Sequence, residues 1–260
     1  MQAVLTVLIN ALDGRDREFD DWYGNVHIRD VMRFGGSIRV QRLVASAVQV
    51  EAPSHRYLTL YDTFDPALLS QEHHDAVGTR RMVVARDYDK PNIINGYYYP
   101  VASRTNDPVA LAPEDAPLIF EQIDVPADRR QAFEAWYADV RMPEVTRQPA
   151  HLSGALMRFD PAGQLAAFTP VYSHVAIWRV SDLAGVIDSW REVPREPLEG
   201  LRRRVGCFEP IEPYLTRDHV LNASEAMNEA EEAARRRAEE RIRAQSGIMM
   251  SKSRSWGERR

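Results

Sequence analysis

The segment FDDWYGNVHIRDV, residues 19–31, has a counterpart in FEAWYADVRMPEV, residues 133–145. Adding 114 to each number aligns the two without a gap, so the pair Trp22-Tyr23 falls on Trp136-Tyr137. The chain contains only five tryptophans, so a matched Trp-Tyr pair is more informative than a matched alanine. Repeats with so long a period are typical of duplicated domains rather than solenoids. The one conspicuous difference is that Arg141 replaces His27.

Sequence patterns around each segment predict the same order of elements. Alternating or apolar stretches indicate strands, and the Trp-Tyr segments have helical spacing. In the first half we expect strands at 3–12, 37–46, 57–64 and 96–101, with a helical region at 66–87. In the second half we expect strands at 117–125, 154–160, 171–180 and 206–211, with a helical region at 183–204. This order, β-α-β-β-α-β, is the ferredoxin-like split βαβ unit, and the first helix should cross over to a parallel neighbouring strand.

These boundaries divide the chain into four parts. The first repeat occupies residues 1–104, a Pro- and Asp-rich linker 105–116, the second and degenerate repeat 117–216, and a helical tail 217–260. The tail is rich in Ala, Glu and Arg and carries a narrow apolar stripe, which consists of Ala226, Ala230, Ala234, Ala238 and Ile242. A stripe of this kind favours a helix that lies on a partner chain or stays solvated over one that fills a core. We therefore expect a homo-oligomer formed through this helix.

Composition excludes several classes of function. A net charge of −5 gives no reason to expect nucleic acid or an anionic membrane as a partner. No apolar run approaches the ~20 residues that a membrane helix needs. A single cysteine, Cys207, permits no intrachain disulfide and fits a reducing compartment. The expectation is a soluble cytoplasmic protein with Cys207 buried and inert.

The pattern Phe19-x-x-Trp22-Tyr23, followed by His27, Asp30 and Arg42, resembles the EthD-like family of the dimeric α+β-barrel superfamily. The resemblance is best over residues 19–42, weaker over the rest of each half, and absent from the tail. It implies an α+β fold in which two ferredoxin-like repeats pair their sheets into a barrel, closed within one chain or between chains. It also implies chemistry on apolar small molecules, in a superfamily that includes cofactor-free oxygenases, cyclases, lactone isomerases and haem enzymes.

The first Trp-Tyr helix carries the candidate catalytic residues. At 3.6 residues per turn, Tyr23, His27 and Asp30 fall on one strip beside the apolar strip that should face the sheet. A histidine near a carboxylate suits proton transfer close to neutral pH, so His27 is the candidate acid–base group and Asp30 its partner. The alternative is a surface pair worth a few tenths of a kcal/mol. In the second half Arg141 and Glu144 take these positions, and an arginine cannot shuttle protons.

Tyrosines on later strands are the candidate substrate contacts. Strand alternation puts Tyr57 and Tyr61 on one face and aliphatic residues on the other. We expect an aromatic ligand to contact a set that comprises Tyr23, Arg42, Tyr57, Tyr61, Tyr97 and Tyr99. Second-choice site residues are Arg141, Glu144, His174 and Trp178. The alternative is that the aromatic face is the packed interior of the barrel.

The sequence favours a cofactor-independent enzyme that acts by His-centred acid–base chemistry on a hydrophobic, aromatic small molecule, as a lyase, isomerase or cyclase. Cofactor-free oxidation of a phenolic substrate is one alternative, and a non-catalytic binding or assembly protein is another. We expect no metal site, since the adjacent His73 and His74 lack the spacing of metal-binding helices. A haem-ligating role for one of the seven histidines stays open.

Overall fold

A computed structural model describes residues 2–106, 113–161, 172–191 and 200–257, with side chains to 245. The first half begins with strand β1, continues through a composite helix with a π-helical centre, and ends with strand β4. Its elements are β1 (Ala3–Ile9), α1 (Asp16–Trp22), π1 (Tyr23–His27), α2 (Ile28–Met32), β2 (Ser37–Ala45), β3 (Tyr57–Thr63), α3 (Pro66–Ala76), a 3₁₀ turn (Lys90–Asn92) and β4 (Ile94–Thr105).

The second half repeats this order and is followed by the tail. Its elements are β5 (Leu118–Asp124), a 3₁₀ turn (Ala127–Arg129), α4 (Arg130–Trp136), π2 (Tyr137–Arg141), α5 (Met142–Thr146), β6 (His151–Phe159), β7 (His174–Val180), α6 (Leu183–Arg191) and β8 (Arg202–Pro210). The tail contains β9 (Leu215–Thr216), α7 (Arg217–Leu221) and α8 (Glu225–Gly257). No described helix is both long enough and apolar enough to cross a membrane.

In the described part of the chain, eight strands form a closed antiparallel barrel in the order β3-β1-β4-β6-β7-β5-β8-β2, which β2 completes by pairing with β3. Within each half the order is the ferredoxin-like one, β4-β1-β3-β2 and β8-β5-β7-β6. The halves join at two seams, β4 with β6 and β2 with β8. The barrel therefore closes within one chain, and the short β9 adds to β2 outside the circle.

Alternation of side chains along the strands divides the core into three parts. The aliphatic residues Leu58 and Leu60 face the barrel interior, together with side chains from the other strands. Tyr57 and Tyr61 face outwards, into the layer under the helices of the first half. A third cluster fills the corresponding layer of the second half. The alternative that the aromatic face forms the barrel interior is therefore wrong.

The predicted fold class and order of elements are confirmed, whereas several details differ. The first helix does not cross to a parallel neighbour, because β3 lies between β1 and β2. Helix α3 ends at Ala76 rather than near residue 87, and an irregular segment, residues 77–93, follows it. We call this segment the strap. The short strand β9 and the break between α7 and α8 were not predicted. Half of the predicted linker, residues 107–112, lies outside the described residues, as does part of the helical region after Arg191.

The two Trp-Tyr helices both contain a π-helical turn at the matched position. These turns are π1 and π2, which end at His27 and Arg141 respectively. Single π turns are uncommon, since their backbone hydrogen bonds skip an extra residue, and they occur frequently at functional sites. The two matched segments therefore depart from α-helical geometry in the same way and at the same position.

The tail helix α8 packs on its own chain. Ala234 and Ala238 are fully buried against the first half, where Ile242 also packs. Part of the predicted stripe, Ala234, Ala238 and Ile242, therefore packs against the chain's own α1 and π1, whereas Ala226 and Ala230 are exposed. Homo-oligomer formation stays a prediction, and the buried part of the stripe does not support it.

Ion pairs flank the buried stripe of α8. Arg235 donates a hydrogen bond to Asp30 at 2.5 Å, and Arg33 forms a bidentate ion pair with Glu231 at 2.7 Å. Asp30 is 2% exposed. Burial raises the pKa of Asp30 above its ordinary value, although Arg235 opposes this effect. Arg235 therefore offsets part of the desolvation free energy of keeping the Asp30 carboxylate charged in a buried position.

We expect Arg235→Ala to lower the free energy of unfolding by about 3 kcal/mol, because it leaves the Asp30 carboxylate buried without its main cation. Arg243→Ala on the same helix removes an exposed pair with Glu239 and should cost about 0.5 kcal/mol or less. Urea denaturation of both variants measures the difference. Equal losses would contradict the docking of α8.

Candidate active site

An apolar cavity of about 160 Å³ lies in the first half, between the outer face of the sheet and its helices. Its floor comes from β1, β3 and β4, one wall from the composite helix, and the other from α3 and the strap. The lining residues are mostly aliphatic or aromatic: Leu5, Val7, Ile9, Trp22, Tyr23, His27, Val31, Tyr61, Leu69, His73, Val77, Met82, Val84, Tyr88, Lys90, Ile93, Asn95 and Tyr97. The space is therefore suited to an apolar ligand.

His27 lines this cavity at the end of π1. Its ring packs at 4.9 Å from the rings of both Trp22 and Tyr23, and at 6.4 Å from the perpendicular ring of His73. Burial, with a smaller effect from His73, lowers the pKa of His27 to about 3. Its Nδ1 atom is buried and has no hydrogen-bond partner among the described residues. His27 is therefore a neutral imidazole with unused hydrogen-bonding capacity at the wall of an apolar space.

The predicted pairing of His27 with Asp30 is wrong. The Asp30 carboxylate accepts hydrogen bonds from Arg235 and from the backbone N–H of Val83, and Arg33 lies 3.5 Å away. The prediction assumed 3.6 residues per turn throughout, whereas the wider π1 turn changes the angular spacing of the residues around it. Asp30 does not line the cavity; it fastens the strap and α8 to the composite helix.

Three predicted tyrosines do come together at the cavity. Tyr23, Tyr61 and Tyr97 all line it, and the hydroxyls of Tyr23 and Tyr61 lie 3.4 Å apart. Burial raises the pKa of Tyr23, that of Tyr61 well above its ordinary range, and that of Tyr97 to about 12. These phenols therefore stay protonated and can donate hydrogen bonds to an oxygen atom of a ligand.

The other predicted substrate contacts lie away from the cavity. Arg42 is buried behind Tyr23, with its guanidinium 5.5 Å from that ring and 2.8 Å from Asp20. The ring of Tyr57 packs at 4.9 Å from that of Phe19, tilted by 39°. Tyr99 is only half-buried near the seam with β6. Arg42 and Tyr57 therefore support the composite helix.

No sequence pattern predicted that the strap forms a wall of the cavity. Tyr88 stacks on Trp22 at 5.3 Å, and the indole Nε1 of Trp22 donates to the Val83 carbonyl at 2.7 Å. Met82 and Lys90 also line the cavity from this segment. Of the adjacent histidines, His73 lines the cavity and His74 is exposed. The helical periodicity of α3 could have predicted that His73 and His74 point in different directions. No sequence pattern predicts where the strap lies.

The second half fills the corresponding space with its own side chains. The halves align with an offset of 114 through the first helix, 117 from the third strand (57–65 with 174–182) through the second helix, and 110 at the last strand (96–101 with 206–211). In this alignment five cavity-lining residues, Val7, His27, Tyr61, His73 and Ile93, correspond to Glu121, Arg141, Trp178, Trp190 and Arg203. We call these five, together with Tyr137, the filling cluster. The two tryptophan side chains are almost completely buried.

Charge pairing holds the filling cluster together. Glu121 accepts from Tyr137 at 2.6 Å and from Arg203 at 2.5 Å. Although burial raises the pKa of Glu121, the charges of Arg203 and Arg141 outweigh it and hold the pKa below its ordinary value. Arg141 lies 5.1 Å over the ring of Trp190. The second half is thus built as a packed, ion-paired layer at this place.

The second-choice residues divide between this cluster and other positions. Arg141 and Trp178 belong to the cluster, and the Trp178 indole donates to Tyr137 at 3.2 Å. Glu144 is exposed. His174 is fully buried and bonds Glu134 at 3.0 Å and Ser173 at 3.0 Å. His174 therefore has a structural role on the outer face of β7.

Two further expectations concern ligands and the cysteine. Among the residues that the structure describes, no group of three or more His, Cys, Asp or Glu side chains is placed to hold a metal ion. Cys207 is buried, as expected, and burial raises the pKa of its thiol to about 11.

No family model matches the chain, and no curated protein matches it. Solved structures do resemble it. An anthrone oxidase-like protein superposes with a TM-score of 0.63 at 10% identity, over 86% of this chain and 96% of the other. A protein from Fusobacterium nucleatum subsp. nucleatum that is named as a monooxygenase superposes with a TM-score of 0.51 at 6% identity, over 83% and 96%.

These similarities and the observed topology assign the chain to the dimeric α+β-barrel fold, here closed by one polypeptide. At such low identity the similarity establishes the fold alone. The cavity in the first half is the candidate site within that fold.

Replacement of His27 tests its buried neutral state. Because the folded pKa of about 3 lies below the ordinary ~6.5, the unfolded state takes up the proton first. Wild-type stability should therefore fall as the pH drops below about 6.5, by about 2 kcal/mol from this residue at pH ~5. His27→Gln should flatten that decline in urea denaturation, whereas His74→Gln, an exposed control, should leave it unchanged.

Replacement of Glu121 tests the filling cluster. Since its folded pKa is lowered, its stabilising effect is present above the unfolded pKa of about 4.3 and is lost as the pH falls through the folded value. We expect Glu121→Gln to cost about 3 kcal/mol near neutral pH and progressively less in acid. Asp124→Asn breaks an exposed pair with Arg202 and should cost about 1 kcal/mol at most. A pH-independent loss in Glu121→Gln would show that its charge does not matter.

Proposed function

We propose that the protein is an enzyme that binds an apolar, aromatic small molecule in the first-half cavity and moves a proton at His27. The observation that carries the proposal is the neutral, unpartnered imidazole of His27 in a space otherwise lined by apolar and phenolic side chains. Lyase, isomerase or cyclase chemistry without a cofactor fits this arrangement, because each requires a proton acceptor or donor next to a bound carbon skeleton.

The chemistry follows from the surroundings of the imidazole. A neutral imidazole can accept a proton from an acidic C–H or O–H group of the ligand. Burial makes His27 a weak base in the empty cavity, but the anion that forms on the ligand would stabilise the imidazolium and raise the pKa. The phenols of Tyr23, Tyr61 and Tyr97 would donate hydrogen bonds to the developing oxyanion, in the manner of an oxyanion hole. No carboxylate partner is required for this cycle.

A second candidate is cofactor-free oxidation by dioxygen. It is favoured by the similarity in fold to a protein named as anthrone oxidase-like, and it would begin with the same deprotonation. Anthrone plus O₂ gives anthraquinone plus water, so the methylene carbon is oxidised and dioxygen is reduced without another co-reactant. The third candidate, a non-catalytic binding protein, would use the cavity and leave the proton in place.

We further propose that the chain arose by tandem duplication of an EthD-like module. The matched Trp-Tyr segments, the shared order of elements and the two matched π turns support it. In this account the filling cluster records the loss of one of two cavities. The working site is then in the first copy alone.

Proton abstraction can be measured separately from oxidation. Under nitrogen, we expect the wild-type protein to accelerate exchange of the methylene protons of anthrone, or of the one-ring analogue phenylacetone, with solvent deuterium, followed by NMR. His27→Gln should lower that acceleration by about 100-fold or more, since general-base catalysis contributes about 10²–10⁴-fold. His74→Gln should keep the wild-type rate.

The outcomes separate the three candidates. Exchange that depends on His27 with no oxygen uptake in air supports the lyase or isomerase class, and added oxygen uptake supports the oxidase. Equal exchange rates in His27→Gln and in wild type would refute the role of His27. Ligand binding without exchange would leave the protein as a binder.

A further inference from the structure

The mouth of the cavity carries one positive charge. Lys90, in the 3₁₀ turn Lys90–Asn92, lines the cavity and has an exposed side chain. No Asp or Glu is among the cavity-lining residues of the described chain. The sequence contains only two lysines, Lys90 and Lys252. Nearly all the other cationic residues of this chain are arginines, so a lysine at the cavity is unusual for this protein.

Lys90 lies towards one end of the cavity floor, and Tyr61 and Tyr97 lie at the other. Leu5 of β1 pairs with both Tyr61 and Tyr97, so these three residues share one level. Four residues further along β1, Ile9 marks the level where the strap enters β4. At about 3.3 Å per residue, this separation is roughly 13 Å. The cavity therefore has an uncharged phenolic end and a cationic end.

The charge of Lys90 is available to a ligand. Within the described ranges, no ion pair joins its ammonium group to a carboxylate, although the neighbouring Asp89 is an acid. Asp89 accepts a hydrogen bond from the Asn92 amide at 2.7 Å and does not line the cavity. The two histidines of the cavity, His27 and His73, have lowered pKa values and are neutral near neutral pH. The electrostatic potential inside the cavity is therefore positive at the end near Lys90.

We infer that the ligand class is an aromatic carboxylic acid, bound with its ring inside and its carboxylate at Lys90. This inference rests on the proposed function and narrows its substrate. An engineered apolar cavity of ~150 Å³ accepts a benzene ring, so the inner part of this cavity, about 160 Å³, has room for at least one ring. A carboxylate inside it would lose its hydration at high cost, whereas at Lys90 it stays partly hydrated and paired. This orientation brings the ring and its side chain past His27.

Phenylpropanoate and its uncharged amide, phenylpropanamide, test the inference as a matched pair. We expect wild type to bind the acid about two- to fivefold more tightly than the amide at low ionic strength, in keeping with an exposed ion pair. Lys90→Met should abolish that preference, so that the acid and the amide bind this variant equally, and Lys90→Arg should retain it. Lys252→Met, which removes the other lysine, is the control and should behave as wild type. Isothermal titration calorimetry gives both dissociation constants.

Each result decides between the ideas. Equal affinity for acid and amide in wild type, or a preference that survives Lys90→Met, overturns the role of Lys90 but leaves the cavity as an aromatic site. Failure of both compounds to bind wild type overturns the ligand class and, with it, the proposed use of the cavity for aromatic molecules. Loss of the preference in Lys252→Met as well would make it a general charge effect and would also overturn the inference.

Discussion

The two seams, β4 with β6 and β2 with β8, impose the arrangement of everything else in this protein. They pair the outer edges of both half-sheets, so the eight barrel strands leave no long edge open to other chains. A closed barrel of this size has an interior that side chains just fill, and aliphatic and aromatic residues occupy it here. Helices can then cover only the outer face. Any small-molecule site built on the helix-facing side has to lie between a helix layer and the barrel wall.

The two halves show two uses of that layer on one backbone plan. Both contain a π turn at the end of the Trp-Tyr helix, so the local geometry is shared. What differs is the set of side chains that points into the layer. Where the first half has Val7 and Ile93, the second has Glu121 and Arg203, an ion pair whose burial requires good geometry to be tolerated. On a common backbone plan, the substitutions in the filling cluster are among the differences between the cavity of the first half and the packed layer of the second.

The sequence predicted the fold well because its strongest signals are periodic and repeated. Strand alternation and the matched Trp-Tyr segments were sufficient for the element order. Of the residues predicted for a site, His27, Tyr23, Tyr61 and Tyr97 line the cavity, whereas Asp30, Arg42, Tyr57 and Tyr99 do not. Asp30 was misassigned because a π turn has no clear sequence signature. The strap and the docking of α8 depend on contacts between residues far apart in sequence, which periodicity does not report.

The carboxylate of Asp30 has a wider effect than its size suggests. It accepts from Val83 in the strap and from Arg235 in α8, and Asp87 of the strap contacts Arg241 and Gln245 of the same helix. Segments with common anchors open as one cooperative unit rather than one by one. Shortening the C-terminus would therefore loosen the wall of the cavity, although no described residue of the tail forms part of its lining. In this molecule the most distant stretch of sequence sets the rigidity of the space around the imidazole.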